Sequence, residues 1–183
     1  LSRFRHPNIV RVRSVFEANN TAYMVMDYEE GDSLQQVIAR DAPISESRLR
    51  NVMLPILSGL EHVHQAGYIH RDIKPANIFL RRDGSPILLD FGSARQAVGM
   101  QTRTLTTLVS PGYAPFEQYF TRGRAQGPWT DIYSLAATLY KAIAGGSKMY
   151  IVADKGRHRP GFQLTGLLAA KAASDAGLRS VRD

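Results

Sequence analysis

Apolar residues recur along this chain with two different periods. Between Ile9 and Phe16, Val10, Val12 and Phe16 alternate with Arg11, Arg13 and Ser14, while Val15 falls out of phase; after the turn-forming EANN, a short apolar run spans Ala22 to Met26. This pattern predicts strand, turn, strand. Gly31 interrupts it, and Ser33 is placed to cap a short helix carrying Leu34, Val37 and Ile38. The strongest helical signal follows: Leu49, Val52, Met53, Ile56, Leu57, Leu60 and Val63 recur at spacings of three and four, which puts them on one face. Ser45 is its expected N-cap, Ile44 and Leu49 are spaced for a hydrophobic staple, and Gly67 closes it. Pro55 lies inside this pattern, where a missing backbone donor predicts a kink. Ile78 to Leu80 and Ile87 to Leu89 flank RRDGSP, whose Asp83-Gly84 favours a tight hairpin. A loop of about 30 residues then runs to Gln118, long enough to be expected to be functional or mobile. From Asp131 to Ala144 helical spacing returns with Leu135, Leu139 and Ile143 in a helix expected to be buried, and Gly145-Gly146 stops it.

Composition narrows the function classes. At 183 residues, 44% hydrophobic and 21% charged, the chain suits one soluble domain with a sizeable core and no internal repeat. No apolar run reaches the roughly 18 residues of a membrane span; the nearest, Ile132 to Ala144, is interrupted by Ser134, Thr138 and Lys141. With no cysteine there are no disulfides, thiolate metal sites or thiol nucleophiles, which is compatible with a reducing cytoplasm. The net charge of +7 is spread over scattered Lys and Arg with no accompanying reader motif, so nucleic acid is not an expected partner. The chain opens on Leu1 without a signal pattern and reads like the middle of something longer.

Chemistry concentrates in YIHRDIKPANIFL, Tyr68 to Leu80. Asp72, on a loop before an apolar strand, can accept a proton from an attacking hydroxyl or orient it. Lys74 offers a cation for phosphate oxygens, and Asn77 an amide oxygen suited to Mg2+. A second carboxylate, Asp90, ends the facing hairpin strand in LLDFGSAR. A base, a cation and hard oxygen ligands are the set that phosphoryl transfer needs, because its transition state is stabilised by positioning and charge neutralisation. Taken singly, HRD reads as a polar turn and DFG as an Asx turn. In this order across a hairpin they are far more specific.

Those motifs resemble a eukaryotic-type serine/threonine protein kinase in a bacterial-like form, specifically its C-terminal lobe: His70-Arg71-Asp72 with Asn77 matches the catalytic loop, and Asp90-Phe91-Gly92 the metal motif. RHPNIV resembles the junction after the family's helix C, YMVMDYEEG its fifth strand and hinge, GYAPFEQY the end of the activation segment, and TDIYSLAATLY its helix F. The resemblance implies an α+β fold with a mainly helical C-lobe and a remnant of the N-lobe sheet. It implies ATP and Mg2+, or Mn2+, as cofactors and a protein Ser or Thr as acceptor. Residue by residue, it makes Asp72 the base or orienter, Lys74 the phosphoryl contact, and Asn77 and Asp90 the metal ligands. Met26 becomes the gatekeeper, with the backbone of Asp27 and Glu29 meeting adenine. His70 braces the loop, and Asp131 anchors it from helix F. Arg71 could pair with a phosphate on the activation loop, for which Thr102, Thr104, Thr106 and Thr107 are candidate acceptors. Glu117 falls on the acidic position of the family's Ala-Pro-Glu, here Ala114-Pro115-Phe116-Glu117, and Ser110 on a substrate-facing hydroxyl position.

The resemblance also implies boundaries. Residues 1–27 correspond to part of the N-lobe, 28–146 to the C-lobe through helix F, and 147–183 to an atypical tail, expected to be disordered or frame-shifted. The Gly-rich loop, the strand lysine and its glutamate partner are expected upstream of Leu1. The kinase part is expected in the cytoplasm, membrane anchoring of a longer protein being compatible with that. This chain alone is expected to be inactive, either as an incomplete enzyme or as a truncated, pseudokinase-like binding module with a partner on its exposed lobe surface.

Overall fold

The computed structural model describes residues 5–91, 95–96, 109–119 and 126–144. Thr102, Thr104, Thr106, Thr107, Gly92 and the tail after Gly146 lie outside the described residues. Strand β1 (Val12–Ala18) and β2 (Thr21–Met26) form an antiparallel hairpin. Asn19 and Asn20 turn it with φ of 52° and 57°, the left-handed pair that a two-residue hairpin turn requires and that asparagine tolerates. The alternation that began at Ile9 divides here. Val10 N–H donates to the Leu88 carbonyl at 3.0 Å and Leu88 N–H to the Asn8 carbonyl at 2.8 Å, so Ile9 and Val10 dock on a later strand and are buried. Phe16, expected on the inner face, is 49% exposed and stacks instead on Tyr23, ring centroids 5.3 Å apart.

A second sheet has the order β3 (Gly31–Ser33), β5 (Ile78–Arg81), β6 (Pro86–Leu88), all antiparallel. Gly31 has φ 152°, and a Cβ there would lie 2.0 Å from the Leu80 carbonyl oxygen, so the β3–β5 contact admits only glycine. The β5–β6 turn closes through Arg81 N–H to the Ser85 carbonyl and Gly84 N–H to the Arg81 carbonyl, with Gly84 at φ 82°. Helix α1 (Leu34–Asp41) begins with a capping box: the Ser33 hydroxyl accepts from Gln36 N–H, and the Gln36 side chain accepts from Ser33 N–H. Helix α2 (Glu46–Gln65) runs unbroken through Pro55, capped by Ser45, and buries Leu49, Val52, Ile56, Leu60 and Val63. These pack with Leu34, Val37, Ile38, Ile73, Ile78, Ile87, Leu88 and Phe91 into one core. The two-residue strands β4 (Tyr68–Ile69) and β7 (Arg95–Gln96) pair antiparallel and carry too short a pattern to be read in the sequence.

Helix α3 (Pro128–Ala144) starts with Pro128 in its first turn, as proline's fixed φ favours. Its buried face differs from the expected one. Leu135 is buried and Leu139 partly so, but Ile143 is 51% exposed, and the inner face is completed by Thr130, Asp131, Ser134, Ala137, Thr138 and Ala142. Small residues let the helix lie close to its neighbours. The hydroxyls are satisfied along the helix, Ser134 donating to the Thr130 carbonyl and Thr138 to the Ser134 carbonyl.

Candidate active site

The loop after β4 is held from below by one carboxylate. Asp131, in the first turn of α3, is fully buried. Its Oδ2 accepts His70 N–H at 2.8 Å and His64 Nε2–H at 2.7 Å, and its Oδ1 accepts Arg71 N–H at 2.8 Å. Three donors around one carboxylate meet the condition under which a charge is tolerated in an interior. Arg71 follows with φ 72°, a left-handed turn that redirects the chain toward Asp72.

His70 is also fully buried, packed edge-on against Phe91 with centroids 4.6 Å apart. Its Nε2–H donates to the Leu89 carbonyl at 2.9 Å and its Nδ1 accepts Asp72 N–H at 3.2 Å, which identifies a neutral ring. Burial lowers its pKa below the ordinary 6.5, against the smaller opposing influence of Asp131, the Leu89 carbonyl, Asp72 and Asp90. The histidine thus joins the loop to the end of β6 and to the Phe91 side chain.

Above this brace, four polar side chains converge. Lys74 Nζ donates to Asp72 Oδ2 at 2.7 Å and to Ser110 Oγ at 3.0 Å, and Ser110 Oγ–H donates to Asp72 Oδ1 at 2.6 Å. Asn77 Nδ2 donates to the Asp72 carbonyl at 2.8 Å and to its Oδ2 at 3.0 Å. That orientation leaves the Asn77 carbonyl oxygen as the side chain's ligating end. The 3-10 turn Pro75–Asn77 places Asn77 at the entrance to β5, and Asp90 is exposed at φ 60° beyond β6. Among the described residues no group of three or more His, Asp or Glu is gathered for a metal, so an ion here would complete its shell from phosphate or water.

The other expected residues lie apart from this cluster. Met26 ends β2 and is 36% exposed. Asp27 N–H is committed to the Arg11 carbonyl at 3.0 Å and its carboxylate to Arg13, so a contact from its backbone to a base falls to the carbonyl. Glu29 makes a two-pronged ion pair with Arg81, at 2.6 and 3.1 Å. Glu117, in the 3-10 turn Phe116–Tyr119, accepts the Thr130 hydroxyl at 3.0 Å, linking that turn to the start of α3. Three further side chains were not legible in the sequence: His64 on Asp131, Gln118 Nε2 on the Arg71 carbonyl at 2.8 Å, and Gln126 Oε1 under Arg71 Nε at 2.7 Å. Their partners are 67, 47 and 55 positions away, beyond the reach of any local pattern.

Comparison with known proteins agrees with this arrangement. A family model described as the protein kinase domain matches residues 1–163. The serine/threonine-protein kinase PknA of a Nostoc species is 39% identical over 137 residues, covering 71% of this chain and 24% of that protein. PknK of Mycobacterium tuberculosis is 38% identical over 141 residues, covering 76% and 12%. The human hormonally up-regulated neu tumor-associated kinase is 33% identical over 143 residues, covering 77% and 20%. The chain therefore spans about a quarter or less of the length of these relatives. With a family match over most of its length and a loop built around Asp72, the chain belongs to the protein kinase domain family, in its bacterial serine/threonine type.

Proposed function

We propose that the protein containing this chain transfers the γ-phosphoryl group of ATP to Ser or Thr hydroxyls of other proteins, and that the chain supplies the floor of that site. The observation that carries this reading is Ser110: an aliphatic hydroxyl donates to Asp72 and accepts from Lys74, so the cluster has the shape and charge to receive a hydroxyl nucleophile. Asp72 orients the acceptor hydroxyl and takes its proton as the oxygen–phosphorus bond forms. Lys74 offsets charge on the phosphoryl oxygens, and ADP leaves with the bridging oxygen. Bound ATP supplies the transferable group, and Mg2+ neutralises its phosphates. Asn77 Oδ1 and the Asp90 carboxylate are hard oxygen donors of the type Mg2+ takes, and they are its proposed ligands. Met26 and the backbone of Asp27 and Glu29 are the proposed adenine side, with the lobe border at residues 27–31. Phosphorylation at Thr102, Thr104, Thr106 or Thr107 is a proposed control.

The test is radiolabelled ATP with a generic basic protein acceptor and the full-length gene product. Asp72→Asn is expected to lower kcat by about 10²- to 10⁴-fold; equal transfer by the variant would remove Asp72 from the chemistry. A second reading, a catalytically inactive, pseudokinase-like binding module, is favoured by exposed Val15, Phe16, Tyr23 and Val25 on the first hairpin and by Trp129, Ile132 and Ile143 on α3. Absence of transfer by the full-length protein would favour it.

A further inference from the structure

Arg71 is gripped at three points by the stretch that runs from Gln118 into α3. Its N–H donates to Asp131, its carbonyl accepts from Gln118 Nε2, and its guanidinium Nε donates to Gln126 Oε1. The grip has something to hold, because φ 72° is a conformation that L-residues seldom adopt and that persists only where the surroundings determine it. Gln118 is 3% exposed, and its Oε1 is buried with no hydrogen-bond partner. A buried amide oxygen left unpaired opposes folding, so stability alone does not account for an amide there. What it supplies is the N–H on the Arg71 carbonyl, one peptide bond before Asp72.

We propose that Gln118 and Gln126 are positioning residues for phosphoryl transfer, two neutral amides that fix Arg71 and through it the direction of Asp72, so that the loop holds its working geometry without a phosphate on the 97–108 segment. The inference rests on the kinase reading above and refines its control. A phosphate drawn to Arg71 would meet a guanidinium already bonded to Gln126, and it would add to a geometry that exists without it.

The experiment uses the full-length protein, treated with a phosphatase that is then removed, with ATP, Mg2+ and a basic protein acceptor. The dephosphorylated wild type is expected to keep its initial rate. Gln126→Leu, which keeps bulk and loses the acceptor oxygen, is expected to lose about tenfold or more of kcat with KM for ATP within about twofold, and Gln126→Glu, which restores an acceptor, to recover most of it. Gln118→Leu is expected to lower kcat likewise, with each variant's thermal midpoint recorded; Gln126 is only half-buried, so its variants carry the test if Gln118→Leu does not fold. Wild-type kcat in Gln126→Leu, a loss that Gln126→Glu does not rescue, or a wild type silenced by dephosphorylation would each overturn this inference while leaving the kinase reading in place. No transfer by any form would overturn the kinase reading beneath it.

Discussion

His70 ties the residue scale to pH. Its folded-state pKa is lowered by burial, so the unfolded chain takes up a proton that the folded chain refuses. The stabilisation is complete above the ordinary 6.5 and is lost as pH falls below it toward the folded value. His6, lowered by partial burial and by His62, acts in the same direction. The thermal midpoint is therefore expected to fall between about pH 7 and about pH 5, and the fall to be shallower in His70→Gln but still present because of His6. An unchanged slope in the variant would remove His70 from the account. Asp131 is the complementary case: Asp131→Ala strands the N–H groups of His70 and Arg71 and the Nε2–H of His64, and is expected to cost about 3 kcal/mol or more in urea denaturation.

The elements differ in how far their own residues determine them. For α2, apolar spacing, the Ser45 cap and Gly67 were all readable, and the helix buries the expected face. For α1 the capping box is local as well, and Ser33→Ala is expected to cost about 1 kcal/mol, seen as a lower thermal midpoint. For α3 the apolar period pointed Ile143 inward, whereas the helix buries Asp131, Ser134 and Thr138. Hydropathy could not indicate that face, because these groups become compatible with burial only through partners that folding brings to them: loop N–H groups for Asp131 and the preceding turns of the helix for the hydroxyls. Paired substitutions check the assignment. Leu135→Ala is expected to cost about 2 to 5 kcal/mol, and Ile143→Ala no more than about 0.5 kcal/mol; equal costs would place Ile143 in the core.

At the largest scale, the three small sheets and three helices of the described residues gather Asp72, Lys74, Asn77 and Ser110 at one edge of a single core. No helix among the described residues is long and apolar enough to cross a membrane. Chelation of divalent cations is expected to abolish phosphoryl transfer by the full-length protein and Mg2+ to restore it, with Asp90→Asn raising the Mg2+ concentration needed; transfer that persists in the chelator would remove Asp90 and Asn77 as ligands. Asp72, Lys74 and Asn77 lie within six positions on one loop, and that spacing, with Asp90 across a hairpin, was enough for the sequence by itself to point to the family. Local periodicity and caps likewise determined α1, α2 and the two hairpins. The resemblance already implied His70 and Asp131 as supports of that loop, whereas the tertiary structure alone decided which further side chains join them. Gln118 and Gln126 reach it from 47 and 55 positions away, and His64 reaches Asp131 from 67; hydrogen bonds over such separations exist only after the core has closed, leaving no periodic trace in the chain.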